Sequence, residues 1–118
     1  MDDDEAILDL ITQTLDARRY QVDAARSCED ALPRILSGDY HGILLDLILP
    51  DSNGLALFRQ IRRQRPALEQ RVIFLTGALD EERVKRFRRV AGDRLLLKPF
   101  DLMNLTEMVR SVVSAPRA

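Results

Sequence analysis

The sequence contains a single cysteine, Cys28, and no apolar run that approaches the length of a membrane span. With no second thiol in the chain, Cys28 cannot form an internal disulfide. The sequence also lacks the charged and apolar regions of a secretory signal peptide. These absences predict a cytoplasmic protein that does not enter a membrane.

The sequence also lacks an excess of charge of either sign, because its 18 basic and 19 acidic residues give a net charge of −1. A nearly neutral domain produces no strong field to hold nucleic acid or an anionic membrane, so we expect neither as a direct partner. Lysine is scarce among the basic residues, with sixteen arginines against Lys85 and Lys98. Lys98 is the only lysine outside a cluster of charges, which makes it a candidate functional residue.

The 118 residues, 46% of them hydrophobic, suffice for one globular domain. Short apolar runs alternate with amphipathic helical patterns, which is typical of an α/β fold with a parallel sheet between two layers of helices. Four strands are predicted, at residues 20–24, 42–46, 72–76 and 95–97, together with five helices. Ser27 and Asp101 are candidate N-caps of the second and the last helix.

Polar side chains stand at the ends of three of these runs: Asp46, Thr76 and Lys98. Parallel strands present their carboxyl ends at one edge of the sheet, where ligands bind in such folds. The acidic residues Asp2 to Asp4 precede the first helix and should share that edge. The sequence therefore predicts a site that combines carboxylates, a hydroxyl and an ammonium group.

Carboxylates brought close together repel one another, and a hard divalent cation such as Mg²⁺ relieves that repulsion through oxygen ligands. A carboxylate is also able to attack phosphorus and form an aspartyl phosphate, while a metal and a lysine neutralise the phosphoryl oxygens. A hydroxyl at the position of Thr76 would then donate a hydrogen bond to a phosphoryl oxygen.

These motifs resemble the receiver domains of bacterial two-component response regulators. The resemblance covers residues 1–113 and leaves 114–118 as a C-terminal tail. It rests on the joint spacing of four motifs: the pair Asp2-Asp3, Asp46 with Pro50 and Gly54 behind it, Thr76-Gly77, and Lys98-Pro99-Phe100.

The resemblance implies a role for each motif. Asp46 would be the phosphoacceptor, Thr76 the switch hydroxyl, and Lys98 the partner of the acyl phosphate. Magnesium would be held by Asp2, Asp3, Asp46 and the backbone carbonyl of Ile48. The domain would not be an enzyme in the usual sense, since it would catalyse only its own phosphorylation and slow dephosphorylation.

The implied fold is flavodoxin-like, a doubly wound parallel sheet with strand order 2-1-3-4-5. In that fold an apolar first strand precedes the acidic pair, whereas only Met1 precedes Asp2 in this sequence. We therefore expect the first strand to be missing or truncated. Because neighbouring strands lie about 4.8 Å apart, the strands at 20–24 and 42–46 would then be too far apart to pair.

The function implied by the resemblance is phosphorelay signalling, with a sensor histidine kinase or phosphotransfer protein as partner and a homodimer as a further association. Residues 72–100 look more like the receivers attached to hybrid sensor kinases. A degenerate receiver that binds partners without phosphoryl transfer is the alternative, because Leu95 stands where receivers commonly carry an aromatic switch residue. An aspartate-nucleophile hydrolase ranks last, since it needs a second Asp where this sequence has Ile48.

Overall fold

The computed structural model describes residues 5–46, 54–77, 81–92, 94–97 and 100–114. Five helices and three strands follow one another along the chain. They are α1 (Glu5–Asp16), α2 (Cys28–Ser37), β1 (Ile43–Asp46), α3 (Gly54–Gln64), β2 (Val72–Thr76), α4 (Glu81–Ala91), β3 (Leu95–Leu97) and α5 (Leu102–Ser114), with a 3-10 helix at Pro66–Arg71 between α3 and β2.

The three strands form one parallel sheet in the order β1-β2-β3. Leu45 pairs with Phe74, and Phe74 pairs with Leu95, so the strand ends are in register across the sheet. This sheet corresponds to the last three strands of the predicted order. The doubly wound α/β fold is thereby confirmed, as are the predicted strands at 42–46, 72–76 and 95–97.

Alternate side chains of each strand enter two separate cores, because successive residues of a strand point to opposite faces. On one face, Phe74 packs with Phe58 of α3 in a core that also receives α2 and α4, the two rings meeting edge to face at 4.9 Å. On the other face, Ile73 and Leu75 pack against α1 and α5. The sheet is therefore covered on both sides.

The helix ends confirm both predicted caps. Ser27 Oγ accepts a hydrogen bond of 3.1 Å from the Asp30 backbone N–H, and an Asp101 carboxylate oxygen accepts one of 2.8 Å from the Met103 N–H. At the other end of α2, a Cβ on Gly38 would lie 2.8 Å from the Arg34 carbonyl oxygen and 2.6 Å from the Tyr40 ring, which disfavours any larger residue there. Within the described ranges, no helix is long and apolar enough to cross a membrane.

The strand predicted at residues 20–24 is wrong, since residues 20–25 have no regular secondary structure. A strand requires a neighbour for its backbone groups. Hydrogen bonds from side chains anchor this segment, which has no neighbouring strand in the described chain. Arg34 donates a hydrogen bond of 2.9 Å to the Ala24 carbonyl, and the Tyr40 hydroxyl donates one of 2.7 Å to the Asp23 carboxylate. The alternation of apolar residues at 20, 22 and 24 was thus insufficient to make a strand.

Candidate functional site

Asp46 and Thr76 lie at the carboxyl ends of two neighbouring strands. Asp46 is the last residue of β1 and pairs with Leu75, so that Thr76 is one residue further along β2. Both side chains are buried, with 4% of Asp46 and none of Thr76 exposed. The structure therefore places at one end of the sheet a carboxylate and a hydroxyl that are thirty positions apart in the sequence.

The Thr76 hydroxyl is unusual because it is fully buried and Oγ1 has no hydrogen-bond partner among the described residues. Leaving a buried hydroxyl without a partner costs about 1 to 3 kcal/mol. Such an atom marks a position where an incoming polar group would gain a hydrogen bond that the protein alone does not supply. A phosphoryl oxygen is one group that a hydroxyl donor suits.

The third strand reaches the same edge through the pairing of Leu97 with Thr76. Lys98 is the next residue in the sequence, and it lies outside the described residues together with Asp2, Asp3 and Ile48. Of the predicted site residues, the structure therefore places Asp46 and Thr76.

No cluster of three or more His, Cys, Asp or Glu side chains occurs within the part of the chain that the structure describes. Asp46 is the single described member of the predicted magnesium ligand set. Its burial at a strand end fits a cation site, because an ionised carboxylate removed from water favours a positive partner. The donors of the predicted set are all oxygens, as Mg²⁺ prefers.

Leu95 lies at the start of β3, paired with Phe74. It is buried, with 5% exposed, and packs in the core that Phe58 and Phe74 share. The residue three positions before Lys98 is therefore an interior aliphatic side chain.

Three arginines at the opposite end of the sheet were not singled out by the sequence. Arg65 donates hydrogen bonds of 3.1 and 2.6 Å to the carbonyls of Ile35 and Gly38. Arg71 donates one of 3.0 Å to the Tyr40 carbonyl. In a chain with sixteen arginines, nothing in the sequence distinguished these from surface residues.

Arg94 is the third of these arginines and donates to the carbonyls of Glu69 and Val72. Burial lowers the pKa of Arg94 below its ordinary value, and the charge of Glu69 partly opposes that shift. These contacts fix the loops at the amino-terminal end of the sheet, and so they position the strands whose other ends carry Asp46 and Thr76.

Comparison with known proteins agrees with this geometry. The chain is 33% identical over 111 residues to the transcriptional regulatory protein SpaR of Bacillus subtilis, covering 94% of this chain and 49% of SpaR. It is 30% identical over 118 residues to the response regulator ArlR of Staphylococcus aureus, covering 96% of this chain and 50% of ArlR. The chain thus spans about half the length of these curated relatives.

Solved structures resemble it over almost its whole length. The non-phosphorylated HemR receiver domain from Leptospira biflexa superposes with a TM-score of 0.85 at 26% identity, covering 99% of this chain and 93% of that one. A CheY-like receiver domain protein from Methanospirillum hungatei gives 0.83 at 28% identity, covering 95% and 88%. Residues 1–110 match the response regulator receiver domain family. The chain therefore belongs to the response regulator receiver domains, the signalling modules of two-component systems.

Proposed function

We propose that Asp46 accepts a phosphoryl group in a magnesium-dependent reaction and that the modified domain alters its binding surface. The observation that carries this proposal is the burial of Asp46 at the same sheet edge as Thr76, whose hydroxyl lacks a partner among the described residues. A nucleophile and a hydrogen-bond donor thus share one sheet edge, and membership of the receiver family supports the same assignment.

The donor in this proposal is a phosphohistidine on a partner protein. A carboxylate oxygen of Asp46 attacks phosphorus, an O–P bond forms, and the N–P bond to the imidazole breaks. The electron pair of that bond stays on the imidazole nitrogen, which the donor protein protonates. Charge on the transferring oxygens is met by the Thr76 hydroxyl and the Lys98 ammonium group, since phosphoryl transfer depends mainly on positioning and electrostatic stabilisation.

The magnesium ligands in this proposal are Asp2, Asp3, Asp46 and the backbone carbonyl of Ile48. When bound, the cation supplies positive charge beside the phosphoryl oxygens and allows neighbouring carboxylates to remain ionised. The buried carboxylate of Asp46 supports the assignment, as does the all-oxygen donor set.

The partners that fit this chemistry are a sensor histidine kinase or a phosphotransfer protein in the cytoplasm, and a second receiver in a homodimer. Attachment to a hybrid sensor kinase, which residues 72–100 suggested, stays a prediction. The near-zero net charge of the chain supports protein partners over direct contact with nucleic acid or membrane.

The test is intact-mass measurement after incubation with acetyl phosphate and MgCl₂. The native chain should gain one phosphoryl group, and Asp46→Asn should gain none, because the amide is not a competent nucleophile. Asp16→Asn, at the exposed end of α1, is the matched control and should label at the native rate. Labelling of Asp46→Asn at the native rate would overturn the assignment.

The second candidate function is a degenerate receiver that binds partners constitutively. The observation that favours it is the burial of Leu95, which leaves that position without a surface ring to change conformation. The same labelling experiment separates the two functions. A native chain that takes up no phosphoryl group from either acetyl phosphate or a phosphohistidine donor would support the degenerate receiver.

A further inference from the structure

Arginines collect at the amino-terminal end of the sheet, opposite the edge that carries Asp46. Arg62 and Arg63 lie in the last turn of α3, and Arg88 and Arg89 lie in the last turn of α4. All four residues are exposed. We name these four residues the basic end.

Contacts between the loops link the end of α3 to the end of α4. Arg62 Nη1 lies 3.9 Å from a Glu69 carboxylate oxygen, and the Arg94 side chain donates a hydrogen bond to the Glu69 carbonyl. The backbone N–H of Arg94 donates one of 3.1 Å to the carbonyl of Ala91, the last residue of α4. The two pairs of arginines therefore flank one surface rather than two separate ones.

The positive charge of the basic end has little compensation nearby. Glu69 is the partner of Arg62, and no carboxylate of the described residues forms an ion pair with Arg63, Arg88 or Arg89. Helix α3 contains three arginines and no acidic residue. Like charges on one surface repel one another and together attract an anion.

Helix polarity explains only part of this arrangement. The helix macrodipole favours cations at a C-terminus, and every helix of the fold has that preference. However, α1 and α5 have no basic residue in the last turn, and α2 has Arg34 alone. The arginine pairs occur in the two helices whose residues Phe58 and Ala91 share one core, on the same face of the sheet.

Three half-buried arginines lie at the same end of the sheet and add to its charge. Arg65, Arg71 and Arg94 each donate through Nη1 to backbone carbonyls, which fixes their side chains. A guanidinium has five N–H donors, so one that contacts one or two carbonyls retains others. The basic end thus stands on cations that are already ordered and lose little side-chain entropy when an anion binds.

The size of the surface favours a short acidic segment of a protein over nucleic acid. The outer strands of a three-stranded sheet are about 10 Å apart, so the ends of α3 and α4 span about 10 to 15 Å, the length of four or five extended residues. A protein held on duplex DNA by about 6 to 10 phosphate contacts needs more cations than these four. The guanidinium fork also matches a carboxylate in two parallel hydrogen bonds.

We propose that the basic end is a docking surface for an acidic segment of a partner protein, whose Asp and Glu carboxylates pair with Arg62, Arg63, Arg88 and Arg89. Because this surface is at the opposite end of the sheet from Asp46, a partner bound there leaves the edge that carries Asp46 accessible. The proposal rests on charge and position, and not on phosphoryl transfer.

The test is fluorescence anisotropy with a labelled octaglutamate peptide at about 50 mM NaCl, where screening is weak. The variant Arg88→Gln/Arg89→Gln removes one arginine pair of the basic end. Arg18→Gln/Arg19→Gln is the matched control, because it also removes two adjacent exposed arginines, directly after α1 on the other face of the sheet. The two variants have the same net charge, so a difference between them reports the position of the charges.

We expect the native chain to bind octaglutamate with a Kd below about 1 mM and Arg88→Gln/Arg89→Gln to bind about fivefold more weakly, since each exposed ion pair contributes a factor of about 1.4 to 5. Arg62→Gln/Arg63→Gln should show a similar loss, and the control a loss below about twofold. An uncharged octapeptide of glycine and serine should not bind.

Two further measurements locate the site and verify the fold. Octaglutamate should shift the amide signals of residues 62–71 and 88–92, while those of residues 7–15 serve as the internal reference. The melting temperatures of the variants should stay close to that of the native chain, because the substituted residues are exposed.

Three results would overturn the proposal. One is no binding of octaglutamate to the native chain, and another is an equal loss of affinity in the basic-end variants and the control. The third is tighter binding of a duplex DNA of about 12 base pairs than of octaglutamate at the same residues, which would make nucleic acid the occupant. Phosphoryl labelling at Asp46 is measured separately, so that failure of either proposal leaves the other standing.

Discussion

The Thr76 hydroxyl is buried at the end of β2 without a hydrogen-bond partner among the described residues, although the chain around it is well packed. A hydroxyl in this state lowers stability, because its lost hydration is not compensated. Its presence is reasonable where a phosphoryl oxygen arrives beside Asp46 and accepts the hydrogen bond. Under the proposed function, Thr76 would lower the stability of the unmodified domain and gain a hydrogen bond in the phosphorylated one.

We predict that Thr76→Val leaves the free energy of unfolding unchanged or raises it by up to about 1 kcal/mol, because the orphan hydroxyl is replaced by a methyl group. Phosphoryl uptake at Asp46 should slow in the same variant. Thr76→Ser is the matched control, since it keeps the hydroxyl and loses about 1 kcal/mol with the buried methyl. Urea unfolding measures both, and a loss above about 1 kcal/mol in Thr76→Val would mean that the hydroxyl has a partner.

At the scale of elements, segment 20–25 depends on side chains of its neighbours. The Tyr40 hydroxyl, just before β1, donates to Asp23, and Arg34 of α2 donates to the Ala24 carbonyl. These two contacts join the segment to α2 and to the residues just before β1. The hydrogen bond to Asp23 raises the pKa of Tyr40, with smaller contributions from burial and from the charge of Asp23.

This shift predicts a pH dependence of stability. Because the pKa of Tyr40 is higher in the folded chain than in the unfolded one, its stabilising contribution is complete below about pH 10 and is lost as the pH rises through the folded value. The native chain should therefore be more stable than Tyr40→Phe at pH 8, and the difference should shrink at pH 11.

The chain's other tyrosine gives the control, because Tyr20→Phe also removes one phenolic hydroxyl. Urea unfolding of the three proteins at both pH values provides the measurement. A difference between the native chain and Tyr40→Phe that is the same at pH 8 and pH 11 would contradict the prediction.

At the scale of the whole molecule, the two cores connect the site to the outer helices. Thr76 belongs to β2, which contributes Phe74 to one core and Leu75 to the other, and Leu95 on β3 packs in the same core as Phe74. A buried leucine has no ring or hydroxyl to exchange between the interior and the surface. Under the proposed function, we therefore expect a change that begins at Asp46 to propagate mainly through β2.

We predict that beryllofluoride with magnesium, a stable stand-in for the phosphoryl group, shifts the amide signals of residues 72–77 while the methyl signals of Leu95 move little. The surface response should be correspondingly small. Asp46→Asn with the same reagents is the control and should show no shifts. A large change of the Leu95 side-chain rotamer coupled to Thr76 would show that this position takes part in switching.

Much of the fold was predictable because local patterns and tertiary packing agree. The runs at 43–45, 72–75 and 95–97 are apolar, as is typical of strands in a parallel sheet covered on both faces, and the caps at Ser27 and Asp101 act within a few residues. The 3-10 helix at Pro66–Arg71 was not predicted, because its hydrogen bond from Arg94 comes from a distant part of the chain.

The sequence by itself determined the α/β class, the strands that meet in the sheet, and the spacing of Asp46, Thr76 and Lys98 along the chain. These follow from residue type and periodicity, which are local properties. Only the tertiary structure decided that the Thr76 hydroxyl is buried without a partner in the described chain, and that Leu95 lies in the interior. It also decided that residues 20–25 form no strand, because pairing depends on a neighbour in space and not on the alternation of apolar side chains.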